Sequence, residues 1–154
     1  MDGTHFTVYR LDTGEVVSVQ AMAFAPEHRQ LYLDAALVPW GGDAHGILEA
    51  YADPARHYVA VLGGVPRVED RPDLVVSLDT AEITADGVDA ATLTGLPDPC
   101  TVVIDADDPT VETTVTEVGG GGFVVTASDP GTYAVEVRRF PFMPFRVEIT
   151  AVPP

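Results

Sequence analysis

The second half of the chain is a series of short segments in which apolar and polar residues alternate. In one of them Tyr133, Val135 and Val137 fall on one side of an extended strand, while the residues between them fall on the other. Alternation with a period of two predicts antiparallel strands whose sheets have one buried and one solvated face. The pattern therefore predicts an antiparallel β-sandwich. The seven segments are LVVSL, AATLT, TVVID, TVETTVTEV, GFVVTA, TYAVEVR and FRVEITAV.

The stretch SDPGTYAVEV refines this prediction. Asp129, Gly131 and Tyr133 form the pattern D-x-G-x-Y, which is typical of the start of strand F in an immunoglobulin-like sandwich. At that corner a buried tyrosine sends its hydroxyl to a backbone group upstream, Gly131 allows the bend, and Asp129 caps the turn through its side chain. These residues are predicted to stabilise the fold. Val135 stands where antibody domains have a cysteine, and Cys100, the only cysteine, is predicted to be a small buried hydrophobe.

Residues 1–72 are predicted to form a smaller β-rich region. FTVYR and EVVSVQ flank LDTG, where Gly14 can supply the positive φ of a tight turn, so the chain is expected to open with a hairpin. APEHRQLYLDAAL predicts a short helix with Pro26 near its start, and GILEAY and HYVAVL predict two further strands. Arg71-Pro72 predicts an extended connector. The predicted fold class is all-β, with an N-terminal β-hairpin region over residues 1–72 and a C-terminal immunoglobulin-like β-sandwich over residues 73–154.

Four consecutive glycines, Gly119 to Gly122, separate two of the predicted strands. They predict the tip of a hairpin between ETTVTEV and FVVTA. A loop that cradles a phosphate is not expected, because no helix follows and no lysine or arginine is adjacent.

The chain is strongly acidic. It has 24 acidic and eight basic residues, all of the basic ones arginine, for a formal net charge of −16. Such a chain repels phosphate backbones and anionic lipids, so neither a nucleic-acid partner nor membrane binding is expected. No apolar run approaches the roughly 18 residues that span a bilayer. The first residues lack the basic and apolar regions of a signal peptide, so assembly in the cytoplasm is expected.

No motif in the chain predicts catalysis. Asp105, Asp107 and Asp108 are the best metal candidates, since clustered carboxylates suit calcium, but their spacing is not that of an EF-hand loop. A solvated strand end is the preferred interpretation. The histidines show no close metal-ligand spacing, and no G-x-S-x-G stretch occurs. We therefore predict no catalytic residue, no metal ligand and no cofactor, and do not expect an enzyme.

Two aromatic stretches are candidate interfaces. In RRFPFMPF, the apolar residues Phe140, Phe142, Met143 and Phe145 form a dense cluster broken by prolines. The cluster either folds back over the core as the connection between strands F and G or forms an exposed contact patch. Trp40, in VPWGGD, is predicted to cover the core, with an interface anchor as the alternative.

Several of these stretches together resemble a known family. HYVAV followed by RVEDRP, ITADGVDAATLTGLPDP, the SDPGTYAVEV corner and FPFMPFRVEITA are similar in order and spacing to small tail proteins of tailed bacteriophages. The opening FTVYRLDTGEVVSV also resembles the N-terminal hairpin of those proteins. The resemblance covers most of the chain apart from residues 21–46.

The resemblance implies a non-enzymatic virion component at the tail tip, the baseplate or an attached fibre. Its partners would be other tail proteins, with several copies around a symmetric axis, and a host surface is a further candidate partner. A capsid decoration or spike protein is an alternative. A module that binds host-surface glycans is another, with Trp40, Tyr51 or Tyr58 as the stacking aromatics.

Overall fold

The computed structural model describes residues 4–154. The chain divides into two compact units, of which one ends at Pro72 and the other begins at Asp73. This division falls where the Arg71-Pro72 connector was predicted. The described residues contain thirteen β-strands, one nine-residue α-helix and one short 3-10 helix. The predicted all-β fold class is confirmed.

The N-terminal unit is built from five strands in two antiparallel sheets. The central strand β1 pairs with β2 on one side and β3 on the other, while β4 and β5 form a separate two-stranded ribbon. The predicted opening hairpin is the β1–β2 pair. Strand β5 was not predicted; it follows a turn at Gly63 and Gly64, which both have positive φ. The strands are β1 (Thr4–Arg10), β2 (Val16–Met22), β3 (His45–Leu48), β4 (His57–Leu62) and β5 (Val65–Asp70).

The predicted short helix is present as α1, Arg29–Leu37, preceded by a 3-10 turn at Pro26–His28. Leu33 is buried on its inner side. Leu31 and Val38, seven residues apart and so on one side of the helix, are 68% and 77% exposed. These outward apolar residues explain why the sequence shows only a weak helical period.

The buried residues of the N-terminal unit form small groups. One cluster consists of Tyr9, Val16, Ala52 and Val59. Separately, Phe6 is fully buried beside Phe24, with ring centroids 5.6 Å apart, and Phe24 stacks on Tyr32 at 5.3 Å.

The C-terminal unit consists of two sheets. The larger has the strand order β10-β9-β12-β13-β7, and the smaller has the order β11-β8-β6. Strand β7 runs parallel to β13, whereas β6 pairs antiparallel with β8, so the start of this unit contributes to both sheets. The strands are β6 (Ser77–Leu78), β7 (Glu82–Thr84), β8 (Ala90–Leu96), β9 (Cys100–Ala106), β10 (Thr114–Val118), β11 (Gly121–Thr126), β12 (Gly131–Arg138) and β13 (Phe145–Val152).

Side chains from both sheets enclose one core. Leu93 and Val125 from the smaller sheet join Val102, Val135 and Ile149 from the larger in a single cluster. All five are less than 5% exposed. A core shared by two sheets makes this unit a β-sandwich. Its cysteine lies inside that core, as predicted.

The prediction of a hairpin at the four glycines is wrong. Strand β10, before the glycines, belongs to the larger sheet, and β11, after them, belongs to the smaller. The link therefore crosses between sheets, with positive φ at Gly120 and Gly121. Alternation identifies strands, but it does not identify which strand pairs with which.

Candidate functional site

An open groove of about 560 Å³ lies in the N-terminal unit. One wall is the turn that joins β1 to β2, and the other is the segment between α1 and β3. Its lining combines one tryptophan with charged and aliphatic side chains. The lining residues are Arg10, Leu11, Asp12, Glu15, Val17, Trp40, Asp43, Ala44 and His45.

The turn wall is held by main-chain hydrogen bonds. Arg10 N donates to Glu15 O at 2.9 Å, and Gly14 N donates to Arg10 O at 2.8 Å. Gly14 O in turn accepts from Val59 N, in β4, at 2.8 Å. Gly14 has φ +78°, and a Cβ there would lie 2.0 Å from Val59 O. Glycine is therefore required both for the turn conformation and for the close approach of β4.

The second wall begins where α1 ends. Trp40 N donates to Leu37 O at 2.9 Å, and the Trp40 and His45 rings lie 5.9 Å apart with their planes at 51°. His45 Nδ1 lies 3.3 Å from Gly41 O. A carbonyl oxygen only accepts, so Nδ1 is the donor in this contact. The two walls are joined directly by Leu11 N, which donates to Ala44 O at 2.9 Å.

Three carboxylates and one guanidinium line the groove. Arg10 Nε and Nη2 donate to the two carboxylate oxygens of Asp12, at 3.1 and 2.8 Å. This hydrogen-bonded pair raises the pKa of Arg10 and lowers that of Asp12. Glu15 and Asp43 are exposed at the groove. The lining therefore carries two more negative charges than positive ones when His45 is neutral.

Trp40 lies in the groove wall and outside both core clusters. It is 39% exposed, so it lies at the surface of the unit. Tyr51 and Tyr58, the other aromatics considered for stacking a sugar, do not line this groove. Of the three, Trp40 is the one that lines the groove.

The aromatic cluster of the RRFPFMPF stretch is half-buried. Phe140, Phe142, Met143 and Phe145 all have intermediate exposure. Phe145 opens β13 and packs against the sandwich core, while Met143 forms an isolated bridge with Asp73. The exposed-patch alternative is therefore not supported, and the cluster is the connection between β12 and β13.

The predicted tyrosine corner has the expected hydrogen bond. Tyr133 Oη donates to the main-chain oxygen of Asp129 at 2.8 Å. Burial is the main cause of a raised pKa at Tyr133. Asp129 contributes its carbonyl here and not the side-chain cap that was expected. Gly131, with φ +154°, leaves room for Asp107 Oδ1, which would lie 2.9 Å from a Cβ.

The acidic run near the end of β9 is engaged in local hydrogen bonds. Asp105 Oδ1 accepts from Thr113 Oγ1 at 2.9 Å. Asp108 Oδ1 accepts from both N and Oγ1 of Thr110, at 2.8 and 2.7 Å, and these bonds lower its pKa. Within residues 4–154, no group of three or more histidine, cysteine, aspartate or glutamate side chains is arranged to hold a metal ion.

Sequence reasoning missed a charged cluster on the outer face of the larger sheet. Glu136, on β12, is 8% exposed and accepts hydrogen bonds from Arg138 and Arg146. These bonds lower the pKa of Glu136 against the opposing effect of burial. The alternation of residues along β12 places Glu136 and Arg138 on the same face of the sheet. The pairing of Glu136 with Arg146, however, depends on the register between β12 and β13.

No helix in the described part of the chain is long and apolar enough to cross a membrane.

Comparisons with known proteins give little to identify the chain. Neither the protein-family models nor the curated proteins include a match. Among solved structures, the chain is similar to two crystal structures of a glycosyl hydrolase family 2 member from Bacteroides cellulosilyticus, one of them from strain DSM 14838, with 14% and 13% identity and a TM-score of 0.35 for each. The matches cover 95% and 96% of this chain but 23% and 21% of those chains, so this chain spans less than a quarter of their length. A likeness this distant carries no argument about activity.

Proposed function

We propose that this chain is a non-enzymatic structural component of a tailed-phage virion, located at the tail tip, the baseplate or its fibres. The N-terminal unit docks on other tail proteins, and the C-terminal unit is presented as an immunoglobulin-like domain. Several copies are arranged around the symmetry axis of the tail. The starting point is the resemblance of the sequence to small phage tail proteins.

The observation that carries the proposal is the uneven distribution of exposed apolar side chains. Of the thirteen large hydrophobic residues that are exposed in the described chain, nine lie in the N-terminal unit. Exposed aliphatic and aromatic side chains are available to be buried against a partner, as in the apolar core of a protein interface. The nine are Leu11, Leu31, Tyr32, Val38, Trp40, Tyr51, Val61, Leu62 and Val65.

The C-terminal unit suits a presented domain. Its core is closed between two sheets, and the Tyr133 corner braces the start of β12 without a disulfide. The position of this corner at the start of β12 supports the immunoglobulin-like assignment. A sandwich that needs no disulfide can fold in a reducing cytoplasm before particles assemble.

The first experiment is to locate and count the protein in purified particles of the phage that encodes it. Quantitative mass spectrometry is expected to find a handful of copies per particle, and electron microscopy is expected to place a C-terminal label at the tail tip. Hundreds of copies per particle would favour the alternative of a capsid decoration. Absence from purified particles would refute a virion role altogether.

A second experiment tests docking through the N-terminal unit. The double variant Leu31→Gln with Val38→Thr removes apolar surface from the outer side of α1, where both side chains are exposed. The matched control, Val88→Thr with Val124→Thr, makes two polar replacements at exposed positions of the C-terminal unit. In a phage complemented with each variant, we expect only the first to reduce incorporation into particles. Equal incorporation of both would contradict docking through this surface.

A further inference from the structure

We propose that the groove of the N-terminal unit binds a cationic side chain, arginine in preference to lysine, of the protein on which this unit docks. The proposal rests on the proposed function only for the identity of that partner. Binding of the side chain itself follows from the groove and can be measured with a peptide.

The charges that line the groove favour a cation. The guanidinium of Arg10 is already engaged, because it makes two hydrogen bonds with Asp12. Glu15 and Asp43 then leave the groove with an excess of negative charge, and an arriving cation is attracted to both. An arginine donates from a planar fork that suits carboxylate oxygens, whereas a lysine presents a single ammonium.

The groove is also lined by aromatic and aliphatic side chains. Trp40 leaves 39% of its surface accessible, and a guanidinium over an indole face is attracted by its π-electrons. Leu11 and Val17, which also line the groove, offer apolar contact for the methylene stem of the same side chain. A tryptophan, two carboxylates and an aliphatic lining together match an arginine better than an anion.

Main-chain hydrogen bonds hold both walls of the groove in place. Leu11 N bonds to Ala44 O across the two walls, and Gly14 O anchors the turn to Val59 of β4. The walls therefore do not have to be ordered when the partner arrives, which reduces the entropic cost of binding.

The experiment uses the full chain and the peptide acetyl-Gly-Arg-Gly-amide, with the citrulline peptide as the neutral comparison. Trp40 is the only tryptophan, so its fluorescence reports on the groove directly. We expect a weak, saturable response to the arginine peptide and none to the citrulline peptide. The double variant Glu15→Gln with Asp43→Asn is expected to weaken binding about threefold to tenfold.

The matched control is Glu27→Gln with Glu82→Gln. It removes the same net charge from two exposed positions outside the groove. We expect it to leave the affinity unchanged. Circular dichroism of each variant checks that the fold is retained, and the amide shifts of Asp43 and His45 in NMR spectra give a second measure of binding that does not depend on fluorescence.

Three results would overturn the proposal. One is an equal response to the arginine and citrulline peptides. Another is an equal loss of affinity in both double variants, which would mean that the peptide is attracted to the net negative charge of the whole chain and not to the groove. The third is a saturable response to neutral monosaccharides without one to the arginine peptide, which would identify a sugar site. Peptide binding by a protein that is absent from virions would refute the proposed function and leave the groove assignment intact.

Discussion

The two units of this chain organise their buried apolar residues differently. In the C-terminal unit thirteen buried hydrophobic residues form one cluster enclosed by two sheets, whereas the described part of the N-terminal unit has eight, of which four form the cluster around Tyr9. The N-terminal unit nevertheless exposes more than twice as many large hydrophobic side chains. A divided core together with many exposed apolar side chains is what we expect of a unit whose contacts are completed by a partner.

The two units also differ in the interactions that stabilise them. In the sandwich, packing between sheets is the main stabilising contribution, and side-chain substitutions in the core should have the largest effects. In the N-terminal unit, main-chain bonds around the Gly14 turn join β1, β2 and β4. There, a change in backbone conformation should have an effect that approaches that of a core truncation.

Truncation of a side chain in the sandwich core is expected to cause the largest loss of stability. Leu93 is fully buried, and Leu93→Ala should lower the free energy of unfolding by about 3–4 kcal/mol through lost burial and a cavity. Hydrogen exchange should show the loss of protection at Val135 and Val137 but not at Tyr9, which lies in a separate cluster. Val88→Ala, at an 82% exposed position, is the control and should be nearly neutral. Comparable losses in the two variants would contradict the core assignment.

The next largest loss of stability is expected from a substitution at Gly14, in the turn of the N-terminal unit. Gly14→Ala introduces a Cβ at positive φ and against Val59 O, and should cost about 2–3 kcal/mol. Gly63→Ala is the matched control, since Gly63 also has positive φ but a Cβ there meets nothing within 4 Å; it should cost about 1 kcal/mol. Denaturant unfolding followed by Trp40 fluorescence measures both. Equal costs would mean that the approach of β4 to the turn is unimportant.

A smaller loss of stability is expected when the buried carboxylate of Glu136 in the sandwich is removed. Arg138 and Arg146 lower the pKa of Glu136 below its ordinary value of 4.5. Ionised Glu136 therefore stabilises the folded state above about pH 4.5, and this contribution is lost as the pH falls through the lowered folded-state pKa. Glu136→Gln should cost about 1–2 kcal/mol at pH 7 and make stability less sensitive to acid.

Urea unfolding at a series of pH values from neutral to about 3 measures this difference. Glu148→Gln, at an exposed position of β13, is the control and should keep the acid dependence of the original chain. Parallel pH profiles for the original chain and Glu136→Gln would refute the assigned role of Glu136.

The tyrosine corner should show the smallest effect. Tyr133→Phe removes one hydroxyl and its 2.8 Å bond to Asp129 O, which should cost about 0.5–1 kcal/mol. Thermal unfolding measures the change, and Tyr51→Phe, at a 59% exposed position, should leave the midpoint unaltered. If the two variants behave alike, the corner does not stabilise the sandwich.

Local patterns were sufficient to predict most of the strands. The alternation around Tyr133 and Val135 and the turn residue Gly14 predicted β12 and the opening hairpin, because side-chain period and positive φ are properties of a few consecutive residues. The helical period of the α1 sequence is only partial, because the apolar residues Leu31 and Val38 are exposed on its outer side. Strand β5 was missed because the stretch from Val65 to Asp70 contains a proline.

The candidate groove could not be predicted in the same way. Its two walls come from segments about thirty residues apart in the sequence. The hydrogen bond between Leu11 N and Ala44 O forms because β3 pairs with β1. The sequence predicts Trp40 as a candidate interface residue, but nothing in it indicates that Trp40 and Glu15 line the same groove. The Glu136 cluster likewise depends on a strand register that alternation alone does not determine.

The amino-acid sequence by itself determined the all-β class, the position of the boundary at Pro72 and the acidic character of the chain, since each depends on composition or on neighbouring residues. Tertiary structure alone decided that the four glycines cross between sheets, that the Phe140 stretch is half-buried, and that Trp40 faces a groove lined with carboxylates. These features arise from contacts between residues distant in the chain, and such contacts are set by packing and strand pairing, which local patterns leave open.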